Sequence, residues 1–186
     1  MMKLHLHEPA PGFHRPLDLL RACHRRITNC LDALERLSGH LEQHGADTEA
    51  QSAARRVLAY FEQAAPQHHA DEDQDLFPIL HAYRDHPEAH PQLGEWMDRL
   101  SAEHPRLEAG WDALEPALQN IAAGHADPLE GATDWIQCYR THLELEEQAV
   151  LPLADHLLSA EERALIGRSM ARRRGIPDAY AKPADE

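Results

Sequence analysis

Two stretches of this chain place a histidine four residues ahead of a glutamate: His68 with Glu72, and His142 with Glu146. On a helix such residues share a face and lie about 6 Å apart along the axis. The histidine can bind one metal ion terminally while the glutamate reaches across to a second. Two further histidines, His24 and His104, sit on stripes that otherwise carry Leu, Ile and Trp. Four imidazoles and two carboxylates make a mixed donor set that suits iron, and also manganese or zinc. Left unpaired in an apolar interior, each of these groups would cost several kcal/mol, a cost that a metal pair removes.

Positioning them requires long helices. Leu17, Leu20, Ile27, Leu31, Leu34 and Leu41 recur by threes and fours or their multiples and predict a helix over 16–43, with His24 on the same stripe. A second helix is expected over 49–83, bent or broken locally by Pro66 and Pro78. A third covers 92–123 and ends at Gly124; Pro105, directly after His104, should kink it. A fourth spans 128–158, and Ser159 caps a short fifth over 160–174. Short connections make successive helices antiparallel, so the expected fold is all-α, an up-down-up-down four-helix bundle. Residues 1–15 read as an N-terminal arm, 16–158 as the bundle, and 159–186 as a short helix and tail.

The bundle reads as one hairpin used twice. Residues 20–34 align without a gap on 100–114, matching His24 with His104 and Asp32-Ala33-Leu34 with Asp112-Ala113-Leu114. Residues 68–78 align without a gap on 142–152, matching His68 with His142, Glu72 with Glu146 and Pro78 with Pro152. Two such hairpins packed about a pseudo-twofold axis bring six groups to one level and offer two matching metal positions. His104 and Glu108 form a third His-to-Glu pair of the same spacing. The carboxylate bundle template needs Glu three residues before His, and no histidine here has one. The H-E-x-x-H motif of metalloproteases is absent as well.

Composition narrows the class. The formal net charge of −14 would repel a phosphate backbone and excludes nucleic-acid binding. Arg172, Arg173 and Arg174 form the one basic run, read as a helix end complementing its dipole. Three scattered cysteines make no disulfide framework. With neither a signal segment nor a long apolar run, they predict a cytoplasmic protein that does not enter membranes.

The order His24, then His68 to Glu72 followed by Leu76-Phe77-Pro78, then His104, then His142 to Glu146 followed by Leu151-Pro152, resembles the hemerythrin-like (HHE cation-binding) family. The resemblance implies a hemerythrin-like four-helix bundle holding two iron ions, Fe2+ or Fe3+ with an oxo or hydroxo bridge. Glu72 and Glu146 would bridge them, and His24, His68, His104 and His142 would be terminal ligands. The oxygen-carrying members have a fifth histidine, and Glu108 is the candidate for its place. The implied function is binding of or reaction with O2, NO or peroxide, in sensing, scavenging or stress protection, by a monomer or homodimer. As an enzyme it would be a di-iron oxidoreductase acting on peroxide or NO. Iron storage or donation, or iron–sulfur repair without turnover, is the alternative; a metal-free interaction bundle is a third reading. Tyr139 and Cys138, one turn before His142, read as core packing or as neighbours of the site. His69 reads as lying beside the site or at the surface.

Overall fold

A computed structural model of the chain describes residues 11–176. Most of the arm expected over 1–15, with His5 and His7, and the tail from residue 177 lie outside the described residues. Among those described there is no strand. Helix α1 is Pro16–His44, α2 Thr48–Asp71, α3 Phe77–Ala82, α4 Leu93–Ala122, α5 Ala132–Leu145, α6 Leu151–Leu157 and α7 Ala160–Arg173. A single π-helical turn, Glu72–Leu76, joins α2 to α3, and a second, Glu146–Val150, joins α5 to α6.

Local chemistry sets the boundaries. Pro16 opens α1, where a missing N–H is harmless. The Asp47 carboxylate accepts from the backbone N–H groups of Glu49 and Ala50 and starts α2. The fourth helix begins at Ala132 rather than 128, because Gly131 at φ 77° holds a left-handed turn that glycine adopts freely. Ser159 and Glu162 form a reciprocal capping box on α7.

The prolines divide in their effects. Pro66, Pro105 and Pro116 sit inside helices that run on through them. Each removes one hydrogen bond, and packing on both flanks holds the helix together. Pro78 and Pro152 instead follow the two π turns. A proline ring clashes with the carbonyl four residues back, and the extra residue of a π turn moves that carbonyl aside. In both places the bond runs five residues, from Phe77 N–H to Glu72 O and from Leu151 N–H to Glu146 O.

Helix α1 packs on α2 and α5, and α4 packs on α2 and α5, closing the expected four-helix ring. Two apolar clusters fill it. One holds Ile27, Leu31, Phe61, Trp111, Leu118 and Trp135. The other holds Leu20, Phe77, Leu80, Leu100, Val150 and Met170. On α1, α2 and α4 the candidate ligands fall in sequence between the two clusters, and in the α5–α6 segment Glu146 does so, with His142 next to Leu143 of the first cluster. The polar level is therefore sealed above and below by greasy side chains.

Candidate metal centre

His24, His68, Glu72, His104, His142 and Glu146 converge at that level, each no more than 2% exposed. His24 Nε2 lies 3.4 Å from both Glu72 Oε1 and Glu146 Oε2. His68 Nε2 is 3.4 Å from Glu72 Oε1, and His142 Nε2 is 3.2 Å from Glu146 Oε1. His104 Nε2 is 3.5 Å from Glu72 Oε2 and 3.2 Å from His142 Nε2. These atoms sort into two groups, each with all donor atoms within 4.8 Å of one another: His24, His68, Glu72 and Glu146, and Glu72, His104, His142 and Glu146. Both carboxylates belong to both groups. Each group could hold a metal ion.

The imidazoles are oriented from behind. His24 Nδ1 lies 2.6 Å from Glu147 Oε1, and His104 Nδ1 lies 2.7 Å from Asp73 Oδ2. Glu147 and Asp73 are the residues directly after Glu146 and Glu72, so each hairpin supplies an acid that holds the other hairpin's histidine. His142 Nδ1 is 3.0 Å from Glu103 Oε2. His68 Nδ1 has no hydrogen-bond partner among the described residues. An acceptor on Nδ1 holds the proton there, which leaves Nε2 with a lone pair aimed at the centre.

Electrostatics support a cation at this level. Burial opposes charge on His24, but the carboxylates of Glu147, Glu72 and Glu146 outweigh it and lift the imidazole to about 10. Burial and the charge of Glu146 push Glu72 up to about 7. His68, wholly buried among other imidazoles, is driven well below the usual histidine range. His68 Nε2, Glu72 Oε2 and both Glu146 oxygens are buried without a hydrogen-bond partner among the described residues. Orphaned donors and acceptors of this kind are expensive unless something binds them. A divalent cation in each group would satisfy them together, so the residues present fit a metal pair.

Six of the seven candidate residues come together, and Glu108 does not. Its side chain is 58% exposed, with Oε1 3.6 Å from His69 Nδ1, outside both groups. Four residues overshoot a full turn by roughly 40°. On α2 and α5 the centre falls between the histidine and the glutamate. On α4 it faces His104 itself, and the overshoot carries Glu108 out toward α2. Cys138 is exposed and faces away, whereas Tyr139 is buried and its hydroxyl lies 2.8 Å from His69 Nε2. His69 is not at the surface: it is 5% exposed and stacks on His104 at 4.2 Å between ring centroids. The spacing of the ligands alone does not single out Asp73, Glu103 and Glu147. For Asp73 and Glu147 a signal existed, an acidic residue following the glutamate in both repeats.

A cleft of about 470 Å³ opens between α2 and α4. Phe61, Trp111 and Trp135 line its depth, His69 and Tyr139 lie on its wall, and Glu108 stands at its edge. It approaches the ring of His104 through His69.

Fold and site together define a helical bundle with a buried His/Glu cluster suited to metal cations. Residues 15–154 match the hemerythrin HHE cation binding domain, and the chain belongs to that family. It is also similar to an uncharacterized protein of Haemophilus influenzae, 29% identical over 168 residues, which span 89% of this chain and 94% of that one. No helix among the described residues is long and apolar enough to cross a membrane.

Proposed function

We propose that this protein holds two iron ions, one on His24 and His68 and one on His104 and His142, with Glu72 and Glu146 shared between them. It binds or reacts with O2, NO or peroxide, as a sensor, scavenger or stress-protection protein. The observation that carries this reading is the pair of four-residue groups that overlap in both carboxylates. Bound iron supplies a reversible change of oxidation state and open coordination positions. The chain's own part is different. Asp73, Glu103 and Glu147 aim three imidazoles, and the two apolar clusters keep bulk water from the centre. The cleft beside His69 and Tyr139 has room for a small molecule. Three unpaired cysteines support a cytoplasmic setting.

Protein expressed in iron-rich medium should carry two irons per chain, with oxo-to-iron absorption when oxidised. Anaerobic reduction followed by exposure to O2, NO or peroxide, watched by absorption, then identifies the ligand. Metal-free protein whose melting temperature does not move on adding Fe2+, Mn2+ or Zn2+ would overturn the reading. Two bound irons with neither a spectral response to O2, NO or peroxide nor consumption of them would assign the protein to iron storage or donation instead.

A further inference from the structure

Asp71, the residue before Glu72, is fully buried, and no residue of the four-helix ring neutralises it among the described contacts. Its partners come from the C-terminal end of α7, Arg173, and from the cap residue Arg174. Arg174 holds it with both terminal nitrogens, Nη2 to Oδ2 at 2.7 Å and Nη1 to Oδ1 at 3.0 Å. Arg173 pairs with the same carboxylate through Nη1. With Nη2 it reaches Asp75 Oδ2 at 2.9 Å and Gln74 Oε1 at 3.2 Å. Two guanidinium groups thus grip three side chains of residues 71–75, a stretch that overlaps the first π turn. Such planar donors bind carboxylates in a fixed geometry.

Among the described residues the second hairpin has nothing like it. The counterparts of Asp71 and Asp75 are Leu145 and Ala149. The family match ends at residue 154, so α7 stands outside the shared domain. Its own seat is firm: Ile166 and Met170 are buried, and the Tyr83 hydroxyl donates to Glu162 at the opposite end. The half of the centre that receives this grip is also the half with the weaker support, since His68 Nδ1 lacks the acid that Glu103 gives His142.

We propose that α7, through its last residue Arg173 and the cap residue Arg174, is a clasp that holds Asp71 and so positions His68 and the π turn that begins at Glu72; the His24/His68 metal position, whose His68 has no acid behind it, depends on this clasp more strongly than the His104/His142 position, which the turn reaches only through Glu72 and Asp73. Arg173, Arg174 and Asp71 are positioning residues. The inference rests on the metal-pair reading above, and its test separates the two.

Two variants probe it. Asp71→Leu installs the second hairpin's residue and removes the buried charge together with the need for its partners. Arg173→Gln/Arg174→Gln removes the grip. Tyr83→Phe, which loosens the other end of α7, is the control. Anaerobic titration with Fe2+ should give two tight equivalents in the natural protein and in the control. In Asp71→Leu one equivalent should weaken by roughly 10–100-fold, the usual effect of losing an outer support, and the other by clearly less. Hydrogen exchange on the metal-free proteins reads the turn directly: amides of 72–77 should exchange at least ~10-fold faster in the variants, with 146–151 unchanged. Both equivalents retained at full strength, both weakened alike, or unchanged exchange at 72–77 would overturn the clasp. If the natural protein takes up no iron, the metal reading fails by itself, and the exchange comparison still decides whether α7 holds the turn.

Discussion

The hairpin formed by α1, α2 and α3 and the hairpin formed by α4, α5 and α6 carry the same inner chemistry on different supports. Each supplies one histidine from its first helix and a His-to-Glu pair from its second. Each opens a π turn at the glutamate and follows it with an acid that crosses to the other hairpin. The residue before the first histidine is Cys23 in one hairpin and Glu103 in the other, and only Glu103 backs a ligand. The packing has diverged too. Trp135 continues the register of Phe61, and its indole lies where a Cβ on Gly110 would stand, 2.1 Å from Cδ1. The counterpart of Gly110 is Cys30. A larger ring on one side was accommodated by deleting a side chain on the other. The two halves show that donor positions are held by the demands of a shared centre, while everything behind them is free to differ as long as each imidazole is aimed.

The comparison can be broken most severely at the groups both halves share. Glu72→Ala or Glu146→Ala should reduce bound iron from two per chain to one or fewer, measured by elemental analysis, with equal loss from either change. A retained pair in one variant would mean that the carboxylates are not equivalent bridges. Next in size is Glu103→Ala, which makes the second hairpin resemble the first. It should weaken the His104/His142 position by roughly 10–100-fold in an anaerobic Fe2+ titration and leave the other position alone. Asp73→Ala and Glu147→Ala remove more exposed acids, 36% and 38% exposed against 24% for Glu103, so each effect should be smaller, about 10-fold, and the two should match.

Packing differences are read by stability. Gly110→Ala should lower stability by about 1–3 kcal/mol in denaturant titration, because Trp135 must give way, whereas Cys30→Ala at the matching place should cost less. The smallest effect lies at the N-terminal end of α7. Burial opposes charge on Glu162, but hydrogen bonds from Ser159 and Tyr83 together outweigh it and hold the carboxyl below its ordinary 4.5. A depressed carboxylate contributes stability above its unfolded value and loses it as pH falls through the folded one. The melting-temperature gap between the natural protein and Glu162→Gln should therefore be full at pH 6 and close as pH drops below about 4.5. A gap that persists at pH 3 would show that the capping geometry matters rather than the charge.

Much of this architecture was legible before any coordinates. Apolar periodicity located the long helices, and the gapless repeat paired His24 with His104 and His68 to Glu72 with His142 to Glu146. The late start of the fourth helix has a local cause, Gly131, and the helices that contain Pro66 and Pro105 run on through them because their flanks are packed. The π turns were hidden because a one-residue insertion into a helix has no pattern of its own; only Pro78 and Pro152, read with the glutamates ahead of them, hinted at a disturbance.

By itself the sequence determined which residue types recur, at what spacing and on which apolar stripes, and that is enough to specify a four-helix bundle with six buried donors at one level. Only the tertiary structure decided that Glu108 swings out toward solvent, that His69 turns inward onto Tyr139 and His104, and that Arg173 and Arg174 at the end of α7 reach Asp71. Spacing along a helix sets the angle between two residues on that helix. Where the centre falls relative to that angle, and what comes from a distant element to meet a side chain, is set by how the helices rotate and pack against one another.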